Sequence, residues 1–330
     1  MKDITEKTKM LLAFSFLKGV GPATLRKVID VSDFVNFSVD TIASKVPKIR
    51  SALNEEPDAW QKAMEKAIIQ IDLAQKDNAR ILSVTDVEYP SLLKTTKDDP
   101  LILYVKGHFS PDPSNSVALI GTREPTSHGK IITARIAEFF LGNRWSIVSG
   151  LALGCDTVAH ETAVSLQGHT IAVFAHGLHV VSPSQNKALA HAILDQGGAW
   201  VTEYPYGHNA TPHQFVKRDK IQAGLAQGVV MVQSDLKGGS LHASRAAISY
   251  GRWLAVPQPT QRDLDRKESK VKANSLISEG CWQKTSELLK CDESASNLVK
   301  LIRSKEDYPN LLQAMEHTNP KPPAEQNNLF

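Results

Sequence analysis

Val117-Ala118-Leu119-Ile120-Gly121-Thr122-Arg123 is the stretch that indicates the fold. Four consecutive apolar residues are typical of a strand that is buried on both faces, and Gly121 permits a tight loop directly after it. A helical pattern, Gly129–Phe140, follows the loop. A buried strand, a short loop and a helix form the repeating unit of a parallel sheet.

The same alternation continues on both sides of this unit. Short apolar runs predict strands at Leu101–Val105, Val117–Ile120, Ser146–Val148, Thr170–Phe174, Trp200–Thr202, Val229–Val232 and Trp253–Val256. Helical patterns lie between most of them, at Gly129–Phe140, Asp156–Leu166, Lys187–Asp195, Lys217–Ala226 and Ser240–Tyr250. The sequence therefore predicts an α/β fold, a doubly wound and mostly parallel Rossmann-like sheet, over residues 76–290.

Two flanking regions differ from this pattern. Residues 1–75 predict a small helical domain, in which Gly19-Val20-Gly21-Pro22 is a turn between two helices. That turn fits a helix-hairpin-helix whose backbone N–H groups hold a DNA phosphate, or an ordinary helical hairpin that only packs. Residues 291–330 predict a short helix and a disordered tail, because the last stretch is polar and rich in proline.

Composition excludes several classes of protein. The chain has 330 residues, of which 42% are hydrophobic and 22% are charged, so most of it can bury a core. There is no long apolar run and no signal-peptide pattern, and three scattered cysteines do not form a disulfide framework. We expect a cytoplasmic protein that is not bound to a membrane. We also expect no metal or other cofactor, because the eleven histidines show no ligand spacing.

Charge is unevenly distributed along the chain. The formal net charge is +3, yet residues 210–252 alone carry six bases and two acids. The bases are Lys217, Arg218, Lys220, Lys237, Arg245 and Arg252, and the acids are Asp219 and Asp235. This excess indicates a face that binds a polyanion, or else a solvated surface with a chance fluctuation of charge.

Ligands of parallel α/β sheets bind beyond the carboxyl ends of the strands, so the loops there are the candidate site. We predict phosphate contacts from three loops and from the basic helix that precedes the strand at 229–232. These residues are Gly121, Thr122 and Arg123; Ser149 and Gly150; Lys237, Gly238, Gly239 and Ser240; and Lys217, Arg218 and Lys220. Ser240 is also expected to cap the next helix.

Alternatives remain for two of these places. Arg123 at a helix start is equally explained by an ion pair with a nearby acid such as Glu124. Asp156 and His160 lie four residues apart on one helix face, so they form either an acid–base pair or a helix-start acid beside a buried histidine. The sequence shows no other catalytic arrangement, and we expect a binding protein rather than an enzyme.

The ordered series of motifs resembles the DNA-processing protein A family, also called Smf. The series begins at Tyr89-Pro90 and Asp99-Pro100-Leu101, passes through Gly121-Thr122-Arg123 and the block Ser149-Gly150-Leu151-Ala152, and ends at Asn274-Ser275-Leu276-Ile277. The resemblance covers about residues 7–290. It implies single-stranded DNA binding, assistance in loading the RecA recombinase, and a homodimer, with phosphate contacts mapping to Arg123 and to a pocket at Arg218 and Lys220.

The chain departs from the family pattern at several positions. Asp219 stands between Arg218 and Lys220 where the family usually has Asn, and Leu153 replaces a common basic residue. The extra carboxylate weakens the local positive potential. The C-terminal winged helix of many members does not fit into the last forty residues.

Two further hypotheses concern a partner and a different function. The terminal Gln326-Asn327-Asn328-Leu329-Phe330 resembles a peptide that docks on the bacterial sliding clamp through Gln326, Leu329 and Phe330, although a frayed tail explains it equally.

The alternative function is a nucleotide sensor or a phosphoribohydrolase-like enzyme of the same Rossmann-like superfamily. The loop Lys237–Ala243 lacks the glutamate that such hydrolases use, which argues against hydrolysis.

Overall fold

The fold is described from a computed structural model, in which residues 4–110, 112 and 114–316 are placed. The strands are β1 Ala79–Ser83, β2 Ile102–Gly107, β3 Ser116–Ile120, β4 Ser146–Ser149, β5 Thr170–Val173, β6 Ala199–Thr202, β7 Gly228–Met231, β8 Trp253–Pro257 and β9 Val299–Ile302. The α-helices are α1 Glu6–Ser15, α2 Pro22–Ile29, α3 Val39–Lys45, α4 Pro47–Asn54, α5 Ala59–Lys76, α6 Ser91–Lys94, α7 Ser127–Gly142, α8 Cys155–Ser165, α9 Lys187–Asp195, α10 Pro212–Gly224, α11 Ser240–Ser249, α12 Gln261–Asp265, α13 Lys272–Ser278, α14 Trp282–Leu289 and α15 Tyr308–Glu316.

These strands form one sheet in the order β1-β2-β6-β5-β4-β3-β7-β8-β9. Strands β3 to β9 are parallel, whereas β2 is antiparallel to β6 and β1 is antiparallel to β2. From β3 the chain winds outward through β4, β5 and β6 and then returns to β7 on the other side of β3. The predicted doubly wound, mostly parallel sheet is thus confirmed, and the strand order reverses between β3 and β7.

Strand β3 shows why the sheet is buried on both faces. Ala118 and Ile120 belong to one apolar core, whereas Val117 and Leu119 belong to the core on the opposite face. Successive side chains of a strand point to opposite faces, so a four-residue apolar run supplies both cores at once. This alternation explains why a run of four apolar residues predicts a strand that is buried on both faces.

The seven predicted strands correspond to β2–β8, and two strands were missed. β1 pairs with β2 at one edge, and β9 pairs with β8 at the other edge. The expectation of only a short helix and a tail after residue 290 was wrong at Val299–Ile302. The strand β9 has only four residues, lies at a sheet edge and includes Lys300. Its sequence pattern is therefore too weak to distinguish it from a loop.

The helices α1–α5 form one group, which packs against the β1 side of the sheet through α1 and α5. The Thr8 hydroxyl donates to Ser83 Oγ at 2.7 Å, and the Gln70 amide bonds both the N–H and the carbonyl of Tyr206 at 2.7 and 3.2 Å. Gly19 has a φ of +72°, and Pro22 is the first residue of α2. The predicted helix–turn–helix pair is present, and phosphate binding at its turn stays a prediction.

Arg252 anchors the carboxyl end of α10. It is buried, and Nη1 donates to the carbonyls of Ala223, Gly224 and Ala226 at 2.5–2.6 Å, while Nη2 donates to the carbonyl of Leu92. A cation suits the negative end of a helix dipole, which explains a charge that is buried without a carboxylate. Arg252 therefore serves the fold and is not available to a ligand.

Candidate functional site

A cleft of about 690 Å³ opens where the strand order reverses, at the carboxyl ends of β3 and β7. The loop after β3, the loop after β7 and the amino-terminal ends of α10 and α11 form its walls. Open α/β sheets place their ligands at this point, because the two flanking loops diverge there and leave a crevice. The position alone makes this cleft the candidate site.

The 121–123 loop is held from two sides by the backbone. Thr122 donates its N–H to the Gln233 carbonyl at 2.8 Å and accepts from the Cys155 N–H at 3.2 Å. A Cβ on Gly121 would overlap Cys155, so only glycine permits this approach. The backbone of the loop is thus fixed, while the side chain of Arg123 is exposed in the cleft.

Arg123 lies beside an aromatic ring rather than a carboxylate. Its guanidinium carbon is 5.6 Å from the centre of the Phe215 ring. Glu124, the alternative partner that the sequence offered, instead pairs with Lys270 at 2.9 Å. Within the placed residues Arg123 makes no ion pair, so its charge is available to a ligand.

The 149–156 turn does bind an anion, but the anion is the chain's own. The Asp156 carboxylate accepts from the N–H groups of Gly150 and Ala152 at 3.1 and 3.4 Å. The Ser149 hydroxyl donates to the Leu119 carbonyl at 2.6 Å. The structure therefore places Ser149 and Gly150 beneath the cleft, with their polar groups already used.

His160 is a buried structural histidine and not the partner of Asp156. Its Nδ1 is 2.8 Å from the Thr170 hydroxyl, and burial lowers its pKa to about 3. The imidazole is therefore neutral at physiological pH. Of the two explanations for this pair, the structure favours the helix-start acid beside a buried histidine.

Arg218 is the one base of α10 that lines the cleft, and it is almost fully buried. Its Nε is 3.1 Å from an Asp219 carboxylate oxygen, and its Nη1 is 3.8 Å from Asp156. With its amide oriented so that the oxygen faces Arg218, Gln222 accepts from both nitrogens at 3.0 Å. Gly150 leaves room for the guanidinium, because a Cβ there would overlap Nη1.

The other predicted bases point elsewhere. Lys220 pairs with Asp98 at 2.9 Å, while Lys217 and Lys237 are exposed outside the residues that line the cleft. Arg245 donates to the Leu288 carbonyl at 2.9 and 3.0 Å. The basic excess of residues 210–252 is thus spread over several surfaces, because residues of a helix turn by about 100° each.

The loop after β7 brings Gly238, Gly239 and Ser240 into the cleft. The predicted capping role of Ser240 was wrong: the helix α11 begins at Ser240, its N-cap is Gly239, and the Ser240 hydroxyl donates to Ser234 Oγ at 2.8 Å. The helix has no side-chain cap, and the N–H groups of Leu241 and His242 already donate to the carbonyls of Gly238 and Gly239 at 3.2 and 2.9 Å.

The cleft is less basic than the sequence suggested. The bases that line it are Arg123, Arg218 and Lys270, and the acids are Glu124, Asp156, Asp219 and Asp235. Burial raises the pKa of Asp219 to about 7, with Arg218 opposing the rise and Asp156 adding to it. Protonation of Asp219 therefore changes the balance of charge in the cleft near neutral pH.

Sequence reasoning missed several residues of the cleft. Phe215 lies 5.6 Å from the guanidinium of Arg123 and 5.8 Å from that of Arg218, and an aromatic residue within a basic helix was the available signal. Lys270 and His242 also line the cleft. Lys270 lies far from the glycine loops in sequence, whereas His242 follows Ser240 by only two residues. Within the placed residues no cluster of three or more potential metal ligands occurs.

Comparison with known proteins identifies the family. A model of the family described as DNA recombination-mediator protein A matches residues 80–290. The chain belongs to this family. The matched segment contains every residue that lines the cleft, which confirms the resemblance inferred from the ordered motifs.

Individual members agree with this assignment. Protein Smf of Synechocystis is 33% identical over 254 residues, which are 73% of this chain and 62% of that protein. DNA processing protein A of Streptococcus pneumoniae has a TM-score of 0.66 and 26% identity, covering 94% of this chain and 98% of that one. The chain spans only 53–62% of the length of three curated relatives.

A second solved structure is known for its ligand. DNA processing protein A of Helicobacter pylori, studied for its single-stranded DNA binding mode, has a TM-score of 0.56 and 25% identity. The alignment covers 72% of this chain and 96% of that one.

In the placed part of the present chain, no helix is both long and apolar enough to cross a membrane.

Proposed function

We propose that the protein binds single-stranded DNA in the cleft between the β3 and β7 loops. The observation that carries the proposal is the exposed Arg123, which makes no ion pair within the placed residues and lies against Phe215. A guanidinium offers paired donors to a phosphate, and the aromatic ring offers a face to a base. One nucleotide thus finds both kinds of contact in one place.

The shape of the cleft favours a single strand over a duplex. Its walls are backbone loops around about 690 Å³, and its aromatic side chain lies inside. Bases of a duplex are stacked on each other and do not present a face to Phe215, whereas those of a single strand do.

The wider role follows from the family. We propose that the protein is a recombination mediator, which binds single strands and assists RecA, and that it acts as a homodimer. Support for RecA and for the dimer comes from the family resemblance. The clamp peptide Gln326, Leu329 and Phe330 lies outside the residues that the structure describes and stays a prediction.

Binding of a labelled thymidine oligonucleotide, followed by fluorescence anisotropy, tests the proposal. We expect preference for the single strand over a duplex of equal length. Phe215→Leu should weaken binding by about 1–3 kcal/mol, the contribution of one base–aromatic stack. Equal affinity for both forms, or an unchanged affinity in Phe215→Leu, would count against this site.

The second candidate is nucleotide binding by the same cleft, with or without hydrolysis. It rests on the position of the cleft at the point where the strand order reverses, which suits mononucleotides as well as strands. Ser240, His242 and Ala243 in the first turn of α11 line the cleft, and none of them is the glutamate that such hydrolases use. Release of free base from a nucleoside monophosphate would favour this candidate over DNA binding.

A further inference from the structure

Arg218 is surrounded by the chain's own acceptors. Its Nε is 3.1 Å from Asp219, its Nη1 is 3.8 Å from Asp156, and its Nη1 also lies 3.4 Å from the Val173 carbonyl. In the amide orientation that places its oxygen toward Arg218, Gln222 accepts from Nε and Nη1 at 3.0 Å. The guanidinium is almost fully buried yet lines the cleft, so bulk water screens its charge only weakly.

The two carboxylates differ in what they do for the protein. Asp156 is held by the turn, where one carboxylate oxygen accepts the N–H groups of Gly150 and Ala152, and burial raises the pKa of Asp156 as well. Asp219 lines the cleft on the same helix as Arg218. Its carboxylate thus takes up a donor of a guanidinium that also lines the cleft, where a phosphate oxygen could otherwise accept.

We propose that Asp219 is an affinity-determining residue that substitutes for a nucleic-acid phosphate at Arg218, so that binding of a strand requires the uptake of a proton by Asp219. This inference rests on the proposed function, because the competing anion is the DNA phosphate. A phosphate, Asp156 and Asp219 around one guanidinium bring three anions together, and protonation of Asp219 removes one of them.

The groups that face Asp219 come from three elements. Arg218 belongs to its own helix, Asp156 to α8 and Arg123 to the loop after β3. Arg218 and Arg123 favour the carboxylate, while Asp156 and burial favour the acid. An incoming phosphate adds a negative charge beside both arginines and therefore shifts this balance toward the protonated form.

Other charged or titratable side chains also line the cleft. Asp235 lines the opposite wall and accepts the Leu236 N–H at 2.7 Å, and Lys270 pairs with Glu124. Burial lowers the pKa of His242. Of these, Asp235 offers a matched control: it carries the same charge in the same cleft but lies outside the contacts of Arg218.

The test is the affinity for a thymidine oligonucleotide at pH 6 and pH 8, at one ionic strength, for the full chain and its variants. We expect the unaltered protein to bind several-fold more tightly at pH 6. Asp219→Asn should bind tightly at both pH values. Asp235→Asn should bind somewhat more tightly than the unaltered protein at both pH values and keep the full pH dependence. His242→Gln should keep that pH dependence as well.

Calorimetry in buffers of different ionisation enthalpy gives a second readout that needs no variant. Between pH 7 and 8 the unaltered protein should take up a proton, up to about one per strand bound. The inference is overturned if no proton is taken up, if affinity is equal at both pH values, or if Asp219→Asn keeps the pH dependence.

The outcomes separate this inference from the proposed function. If no variant binds the strand at either pH, the proposed function fails and the inference fails with it. If the strand is bound with a contribution from Arg123 but without pH dependence, only the role of Asp219 is wrong. Circular dichroism of Asp219→Asn establishes that the variant is folded.

Discussion

Gly150 and Arg218 fit each other across the floor of the cleft: the guanidinium occupies the space that a Cβ on Gly150 would fill. Gly150 also donates its N–H to Asp156, which in turn lies 3.8 Å from Arg218. The glycine of this turn is therefore required by a buried arginine and not by an incoming phosphate. This relationship connects the turn after β4 to the helix α10.

Replacing this glycine should disturb the arginine. Gly150→Ala forces the guanidinium away from its acceptors, so we expect the free energy of unfolding to fall by about 1–3 kcal/mol, as for other overpacked sites. Urea denaturation measures the change. Gly142→Ala is the matched control, since no atom lies within 4 Å of the added Cβ. Equal stability of both variants would show that Arg218 is not held in this way.

The buried Arg252 makes a separate prediction about stability. Arg252→Met keeps an unbranched apolar side chain but leaves the carbonyls of Ala223, Gly224 and Ala226 without this donor. We expect a loss of about 2–4 kcal/mol in chemical denaturation, since each buried group without a partner costs about 1–3 kcal/mol. The exposed Arg303, changed to Met, should cost almost nothing. A small loss in Arg252→Met would mean that water or another donor replaces the guanidinium.

Asp219 should also make stability depend on pH in the absence of DNA. Burial raises its pKa to about 7 from a usual value of 3.8, so the folded state disfavours the charged form. The neutral form is present in both states below about pH 4, and the folded state loses stability as pH rises from there to about 7. Between pH 5 and 8 the unfolding free energy of the unaltered protein should therefore fall relative to that of Asp219→Asn. A constant difference between the two proteins would contradict the raised pKa.

The C-terminal peptide has an independent test. Deletion of Leu329 and Phe330 should abolish capture of the bacterial sliding clamp, because these side chains would fill its hydrophobic pocket. The affinity for single-stranded DNA should stay the same, since the cleft lies within residues 120–270. Capture that survives the deletion would show that the resemblance of this peptide is accidental.

The sequence predicts this fold well because its signal is local. The apolar run before Gly121 identifies a strand with two buried faces, and the parallel topology then brings the loops at 121–123 and 238–240 to the same edge. The site is predicted less well because its chemistry depends on partners that are distant in sequence. Lys220 pairs with Asp98 across 122 positions, and Arg218 donates to the Val173 carbonyl across 45 positions. Neither contact can be predicted from the spacing of residues along the sequence.

The most direct test of the central claim is the salt dependence of single-stranded DNA binding with and without Arg123. Each phosphate neutralised contributes a slope of about 0.7 to the logarithm of affinity against the logarithm of salt concentration. Arg123→Ala should bind more weakly at low salt and show a slope that is smaller by about 0.7, whereas the exposed Arg135→Ala on α7 should match the unaltered protein. The same affinity and slope in Arg123→Ala as in the unaltered protein would contradict DNA binding in this cleft.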